Sequence, residues 1–407
     1  MQVNTVFYLQ PSLHTLIKLF CLVALIALFA LSFNNLYQSN KDIKGMVTIW
    51  VTLFVYAVFF LTANFKNSED KLGYVILYLV MPMLGIVYFY ERAIHNQLIS
   101  LFIKFKNIIV ALSIMSLFFW VFASLGASPN MSINVNWGSN STISGYYGLH
   151  FIAQGATNFL GLHLIRNTGL FVEAPMYSYV LSIALLVVIF LEKKSKYTNL
   201  EEWLLVITIF TTTSSTGAIL VVLSFTFYLL YVNKLGNWLV KSILVLLGLA
   251  FSAFAVRFII SEKLSANWWS SSSLRIDDYI AGFQAWQQHP FLGNGLGNYD
   301  EILNFMDTRR LLAVNQLSGI TGFSNGIMEV LAYGGVVGLL LYLIPTIFGL
   351  FTNRKVASFA MLSFFLFCVT VINNSYIYIF ILTYLLVAFI LRKDELHNHQ
   401  IIGNKKI

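Results

Sequence analysis

The sequence predicts an all-α membrane protein, a polytopic helical bundle of about 11 to 12 transmembrane helices. Two observations predict this fold class. Of the 407 residues, 58% are apolar and only 10% are charged, whereas an ordinary soluble domain carries about 25% charged residues. Apolar runs also recur along the chain, at lengths close to the roughly 20 residues that cross a bilayer as a helix. We therefore expect a single integral membrane domain over residues 1–407.

About eleven apolar runs justify the spanning helices in order. They lie near residues 16–33, 46–63, 72–90, 107–125, 176–191, 199–213, 217–232, 239–260, 327–350, 357–373 and 376–391. The first run is interpreted as an uncleaved anchor, because further spans follow it at once and no convincing small-residue cleavage site is present. Both cysteines, Cys21 and Cys368, lie inside apolar runs, so neither a disulfide framework nor a thiolate metal site is supported.

Basic residues in the connections predict the orientation of the helices. They occupy alternate connections, which Lys and Arg hold on the cytoplasmic side of a membrane. These connections contain Arg92 with Lys104 and Lys106, Lys193 with Lys194 and Lys196, Lys234 with Lys241, and Arg354 with Lys355. The basic tail from Arg392 to Lys406 agrees with them, and Lys66 and Lys71 are mild exceptions. The C-terminus is then inside and, with eleven spans, the N-terminus outside.

Two long connections, residues 126–175 and 261–326, face the outside on this topology. Connections of such length usually carry function, because a bare tether need not be so long. In the second one, Ser273 is predicted to cap a helix that begins at Leu274 and ends at His289-Pro290. A Gly-rich turn and a short polar helix from Asp300 follow. Such amphipathic elements are expected to lie on the outer leaflet.

Several charged residues concentrate on the predicted outer face, opposite the basic connections. They are Arg166, Glu173, Arg275, Asp277, Asp278, Arg309 and Arg310. Arginine suits a diphosphate, because its planar fork donates paired hydrogen bonds and stays charged in a low dielectric. The alternative is that each arginine snorkels to the interface or forms a loop salt bridge. Their position on the face where the orienting rule expects few basic residues favours function.

Glu173 and His289 are candidate proton acceptors. A carboxylate at residue 173, near the membrane interface, is suited to act as a general base towards a sugar hydroxyl. Equally, Glu173 is suited to charge the first turn of a helix whose entry Pro175 sets. His289 precedes Pro290, so it is either a base or part of a helix-terminating cap.

Other polar segments predict structure rather than chemistry. Gly293, Gly295 and Gly297 do not have the dinucleotide-binding spacing, and they predict tight turns and close backbone approach to a ligand or helix. The hydroxyl-rich run Thr211–Thr216 predicts helix ends that side-chain hydroxyls satisfy. No metal-ligand motif, phosphate loop or basic aromatic run is present. We therefore expect no metal, no cofactor and no nucleic-acid partner.

Four segments between residues 160 and 345 resemble, in order, the motifs of one enzyme family. Arg166-Asn-Thr-Gly169-Leu-Phe171-Val-Glu173-Ala-Pro175 resembles an R-x-x-G-x-F-x-E/N-P segment, and Ser215-Thr216-Gly217-Ala218 an S-R/T-G-A helix start. Leu274-Arg275 through Trp286 to His289-Pro290-Phe291-Leu292-Gly293-Asn294-Gly295-Leu296-Gly297 is similar to R…W…P-L-x-G-x-G-x-G. Ser324-Asn325 through Gly334 to Gly338 is similar to H-N-x-x-L-x-x-L-x-x-x-G-x-x-G. Together they resemble O-antigen ligases and Wzy-type polysaccharide polymerases.

The resemblance implies a GT-C-like glycosyltransferase fold in a bacterial plasma membrane, with its active site facing outside. It implies an undecaprenyl-diphosphate-linked glycan as substrate, with Arg166 and Arg275 holding the donor diphosphate and Glu173 as the candidate base. The candidate substrate-binding residues are Arg309, Arg310, His289, Asn294, Ser324 and Asn325. A flippase and a chain-length regulator are the expected partner proteins.

Two departures from the family pattern favour the polymerase branch. Ser324 stands where ligases have His, and Thr216 stands where many members have Arg. The Glu173-Ala-Pro175 segment looks like that of capsular and exopolysaccharide polymerases. Two alternatives remain open, a ligase that moves finished glycan to an acceptor and a flippase or transporter. Transporters place polar residues at mid-membrane and contain internal repeats, and neither pattern is evident in the sequence.

Overall fold

The computed structural model confirms a helical membrane architecture. It describes residues 4–39, 43–65, 71–137, 139–159, 162–232, 271–308, 310–311 and 322–404. Seven helices in these ranges are long and apolar enough to cross a membrane. Ten of the eleven predicted apolar runs lie in helices, and the run near 239–260 lies outside the described residues.

The helices and strands are labelled in chain order. The helices are α1 (Pro11–Gln38), α2 (Lys44–Asn64), α3 (Lys71–Ile94), α4 (Ser100–Ser124), α5 (Ala174–Leu191), α6 (Lys196–Thr211), α7 (Ser215–Val232), α8 (Ser271–Gln288), α9 (Tyr299–Leu303), α10 (Gly326–Leu350), α11 (Arg354–Val369) and α12 (Tyr376–Asn404). The strands are β1 (Met131–Trp137), β2 (Ser139–Tyr146), β3 (His150–Ile152), β4 (Ala156–Phe159) and β5 (Leu162–Ile165).

Internal contacts divide the chain into two compact units. The first unit contains Met1–Cys21, Ile99–Leu274 and Leu312–Gly322, and the second contains Leu22–Leu98, Arg275–Leu311 and Phe323–Ile407. The expectation of one integral membrane domain stays a prediction, since one helical membrane domain can hold two such clusters.

The first unit is built around helices α4 to α7. Its central helix, α5, is buried along almost its whole length. At one end of these helices, the Lys106 ammonium on α4 contacts the carboxylates of Glu192, at 3.2 Å, and Glu201, at 2.6 Å. Lys106 is only 2% exposed, so this pairing satisfies a buried charge. It also brings together the ends of helices α4, α5 and α6, which the sequence predicts to lie on the cytoplasmic side of the membrane.

A small antiparallel sheet occupies much of the first long connection, and the sequence interpretation missed it. Strands β1, β2 and β3 pair in that order, with Ile133 opposite Ile143. The alternation of Ile133, Val135 and Trp137 with polar residues is the pattern of a half-buried strand. Val135 and Ile143 pack in a buried cluster with Val6, Phe151 and Val172. The sheet therefore ties the N-terminal segment to the chain that precedes α5.

The second unit contains a spanning helix that is broken in its middle. Helix α10 changes direction at Gly335, which has φ +59° and ψ −161°. The turn that follows α8 enters this break, where Val336 N donates to Pro290 O at 2.9 Å and Asn294 N donates to Ala332 O at 2.9 Å. The inserted turn thus satisfies backbone groups that a break in a membrane helix would leave unpaired.

Candidate functional site

Arg166 lies at the end of the β5 strand and is held against the turn between α6 and α7. Its Nε donates to Thr213 Oγ1 at 3.0 Å and to Thr212 O at 3.4 Å. The side chain is partly exposed. Because the guanidinium group is planar, anchoring Nε fixes the plane in which the other nitrogens point. Arg166 therefore presents an oriented cation rather than a freely rotating one.

The two residues after Arg166 fix the backbone that carries it. Asn167 is fully buried, and its Nδ2 donates to Thr211 Oγ1 at 3.0 Å while its backbone N donates to Thr211 O at 3.0 Å. Gly169 N donates a hydrogen bond to Asn167 Oδ1 at 3.1 Å. Gly169 has φ +54°, and a Cβ there would lie 2.9 Å from the Tyr177 ring. Gly169 therefore permits both the left-handed turn and the close packing of the backbone against the Tyr177 ring.

The N-terminus of α7 lies beside the Arg166 anchor. Ser214 caps this helix by accepting from Gly217 N at 3.5 Å, and Thr213 has the unusual φ of +53°. A helix N-terminus carries partial positive charge and unpaired N–H groups that suit an anion. The hydroxyls of Thr211 and Thr212 bond to carbonyls one turn back, which confirms the prediction for this run. A cation next to a helix N-terminus is a favourable place for a phosphate group.

Glu173 occupies the N-cap position of α5 without capping it. Its backbone is extended, and its side chain makes no capping hydrogen bond among the described residues. The carboxylate instead accepts a bond of 3.0 Å from the indole N–H of Trp137, on the edge of the sheet. Pro175 lies in the first helical turn, as predicted. The carboxylate is thus turned towards the sheet and remains partly exposed.

Arg275 and two aspartates share the α8 helix in the second unit. This helix begins at Ser271, three residues before the predicted start at Leu274, and it ends before His289 as predicted. Arg275 is partly exposed and lies within electrostatic range of Tyr279. The Tyr279 hydroxyl donates to Cys368 O at 2.8 Å. This contact places the Arg275 segment of α8 against the end of α11.

A buried ion-pair network fixes the other face of α8. Arg310 is 4% exposed, and its Nη1 lies 2.7 Å from Asp278 Oδ1 and 2.9 Å from Asp277 Oδ2. Asp278 Oδ2 also accepts from Ser324 N at 2.8 Å. Burial raises the pKa of Asp278, while Arg310 and Ser324 act to lower it. The network therefore ties α8 to the segment that precedes α10.

The remaining predicted residues divide between turns and the start of α10. His289 is exposed, and its carbonyl accepts from Gly293 N at 2.8 Å in the turn that ends α8. Asn294 Nδ2 donates to Ala285 O and Ala332 O, each at 2.9 Å, so it fastens the inserted turn to α10. Asn325 caps α10 by accepting from Met328 N at 3.0 Å. Arg309 lies outside the described residues.

The glycine cluster makes the close helix approach that the sequence predicts. Gly293, Gly295 and Gly297 all have positive φ. A Cβ on Gly293 would lie 2.4 Å from the Tyr333 carbonyl carbon. The backbone that Gly293 approaches is helix α10, whereas the nearest atom to a Cβ on Gly295 is the Asn64 carbonyl oxygen of α2. The only sequence signal for the break in α10 was Gly334-Gly335.

The central part of the chain is similar to one known protein family. Residues 203–343 match the family model described as O-antigen ligase. No curated protein matches the chain. The match supports the O-antigen ligase and Wzy-type family, without separating ligases from polymerases. It also supports glycan transfer by a multi-pass membrane enzyme.

The O-antigen ligase match contains some of the candidate residues and not others. It includes the α7 start with Gly217, all of α8 with Arg275, the inserted turn and the start of α10. Arg166 and Glu173 precede it. The sequence interpretation did not foresee the pairing of Arg310 with Asp277 and Asp278, because residues 32 and 33 positions apart come together only in the fold.

Proposed function

We propose that this protein is a polysaccharide polymerase that joins lipid-linked repeat units on the outer face of a bacterial plasma membrane. Its donor is a glycan on undecaprenyl diphosphate, and its acceptor is a sugar hydroxyl of an incoming repeat unit. The O-antigen ligase match over residues 203–343 supports glycan transfer of this general type. The observation that carries the proposal is the anchoring of Arg166 on Thr212 and Thr213, beside the N-terminus of α7.

The proposed reaction moves the growing glycan in one displacement at its first sugar. The acceptor oxygen forms a bond to the anomeric carbon, and the bond from that carbon to the diphosphate oxygen breaks. The electron pair leaves with undecaprenyl diphosphate, and the hydroxyl proton goes to a base, for which Glu173 is the candidate. Arg166 is the proposed ligand of the diphosphate, because fixed cations stabilise a leaving anion, and Arg275 is a candidate for the same role through the family resemblance alone.

The residue at position 324 favours a polymerase over a ligase. Ser324 stands where ligases of the family carry a histidine, and its backbone N–H is committed to buried Asp278. A serine hydroxyl does not take up a proton near neutral pH as an imidazole does. The ligase remains the second candidate, because the matching family model is described by that activity.

A genetic experiment separates these two functions. Cells that lack a polymerase retain single repeat units on the carrier, whereas cells that lack a ligase accumulate long carrier-linked polymer. We expect deletion of this gene to leave single units, and the intact gene to restore polymer. Long carrier-linked polymer in the deletion strain would assign the ligase function instead. A flippase and a chain-length regulator are the proposed partners in the same cells.

A further inference from the structure

Three polar side chains have no assigned role as a group: Asn325 and Glu329 at the start of α10, and Asn373 in the turn between α11 and α12. Asn325 is 1% exposed and Asn373 is 5% exposed, while Glu329 remains partly exposed. Gly326 N donates to Thr370 O at 3.1 Å, which holds the start of α10 against the turn between α11 and α12. Asn325 is the N-cap of α10, and its carbonyl accepts from Glu329 N at 3.4 Å, so Glu329 lies one helical turn beyond it.

Two of these side chains keep buried polar atoms without a hydrogen-bond partner in the described part of the chain. Asn325 uses its Oδ1 to cap α10, which leaves Nδ2 as an unmet donor. The Asn373 side chain hydrogen-bonds to the Glu329 carboxylate, and its Oδ1 is an unmet acceptor. Buried polar atoms normally have a hydrogen-bond partner, because a buried donor or acceptor without one destabilises the fold. A ligand with both donor and acceptor atoms would satisfy this pair.

The surroundings select the chemistry of such a ligand. The Glu329 carboxylate disfavours an anionic group, and Asp278 within its electrostatic range is already paired with Arg310. Tyr333 also lies within range of Glu329, and its ring contacts Phe323 edge-to-face at 6.0 Å. Tyr342 donates to Asn373 O at 3.1 Å. Amides, one carboxylate and aromatic rings together suit a neutral molecule rich in hydroxyls.

We propose that Asn325, Glu329 and Asn373 form a subsite that binds the hydroxyl groups of a neutral sugar. A sugar hydroxyl accepts from Asn325 Nδ2 and donates to the Glu329 carboxylate or to Asn373 Oδ1. This subsite rests on the proposed function, because the sugar belongs to the acceptor repeat unit. It extends that function by assigning Glu329 and Asn373 to substrate binding and by excluding acidic sugars from this position.

Chemical labelling of Glu329 tests the subsite directly. The full-length protein in nanodiscs is treated with a carbodiimide and glycine methyl ester, and mass spectrometry measures amide formation at each carboxylate. The probes are free neutral hexoses and N-acetylhexosamines, with glucuronate and potassium chloride as comparisons. We expect the neutral sugars to slow labelling of Glu329 and to leave labelling of Glu301, the internal control on α9, unchanged. Glu329→Gln confirms the assignment of the labelled peptide.

Variants of the two amides show whether protection is specific. Asn325→Ala and Asn373→Ala each remove one hydrogen bond to the sugar, in addition to the α10 cap and the bond to Glu329 respectively, so the sugar concentration for half-protection should rise about five- to tenfold. Gln288→Ala, which removes an exposed amide at the end of α8, is the matched control. Protection that is unchanged in both amide variants would overturn the proposal.

Further outcomes of the labelling experiment would also contradict the proposed sugar subsite. Glu329 that resists labelling without sugar, or labels equally with it, contradicts the subsite. Protection by potassium chloride instead of sugar assigns a cation site, and protection by glucuronate contradicts the selectivity for neutral sugars. Failure of the polymerase proposal looks different, because sugar protection then persists although lipid-linked units are not polymerised.

Discussion

Gly335 lies directly against the carbonyl of Phe291, so a Cβ on Gly335 would stand 2.4 Å from that oxygen. Gly335 also has φ +59°, which strains any residue with a side chain. Gly335→Ala should therefore expel the inserted turn and lower the free energy of unfolding in detergent by about 3 kcal/mol or more. Gly126→Ala is the control, since Gly126 has φ +86° with open space around its Cβ position. Equal losses of unfolding free energy in both variants would show that the close contact with Phe291 makes no contribution beyond the backbone strain.

Removal of Arg310 should destabilise the fold, because it leaves the buried Asp278 and the partly exposed Asp277 without their cation. Arg310→Ala leaves Asp277 and Asp278 without their shared partner, and we expect a loss of about 3–5 kcal/mol in the free energy of unfolding. Adding Asp277→Asn and Asp278→Asn to this variant should recover much of that loss. Lys194→Ala removes the more exposed pair with Glu202 and should cost about 1 kcal/mol or less. Similar losses for the two single variants would contradict a buried role for Arg310.

Gly217 should be required for the position of the α7 N-terminus. A Cβ there would lie 2.1 Å from Ser178 Oγ and 2.7 Å from Ile209 Cγ2. Gly217→Ala should move the turn that anchors Arg166 and reduce polymer formation at least about tenfold. Adding Ser178→Gly should restore part of the activity, because it removes the closest obstacle. The measurement is polymer length and yield on gels at matched expression, and full activity of Gly217→Ala would contradict the packing argument.

His150 should make stability depend on pH. This residue is fully buried in the sheet of the first unit, and burial lowers its pKa from 6.5 to about 4. The unfolded chain therefore takes up a proton near pH 6.5 that the folded chain takes up only near pH 4. Stability should fall as the pH drops between these values, by about 3 kcal/mol from this residue. His150→Phe should remove that part of the fall. The measurement is the free energy of unfolding of both proteins as a function of pH, and the same pH dependence in both would contradict the prediction.

The sequence predicted the helices better than the site. Apolar runs report spanning helices directly, because the thickness of the bilayer sets their length. Strand β1 also had its signal in the alternation of Ile133, Val135 and Trp137 with polar residues, but residues 126–175 were predicted only as a functional external connection. The partners of Asp278 and of Asn373 were not foreseeable, because each contact depends on how distant helices pack. Arg309 and the run near 239–260 lie beyond the residues that the structure describes.

Reconstitution with lipid-linked repeat units tests the central claim most directly. Purified protein in proteoliposomes is given these units, and the assay measures polymer on gels together with undecaprenyl diphosphate released. The account predicts polymer with one carrier released for each new glycosidic bond, and loss of both products in Arg166→Ala and Arg166→Lys, since Lys lacks the planar fork. Polymer at the normal rate from stably folded Arg166 variants, or release of carrier without polymer, would contradict it.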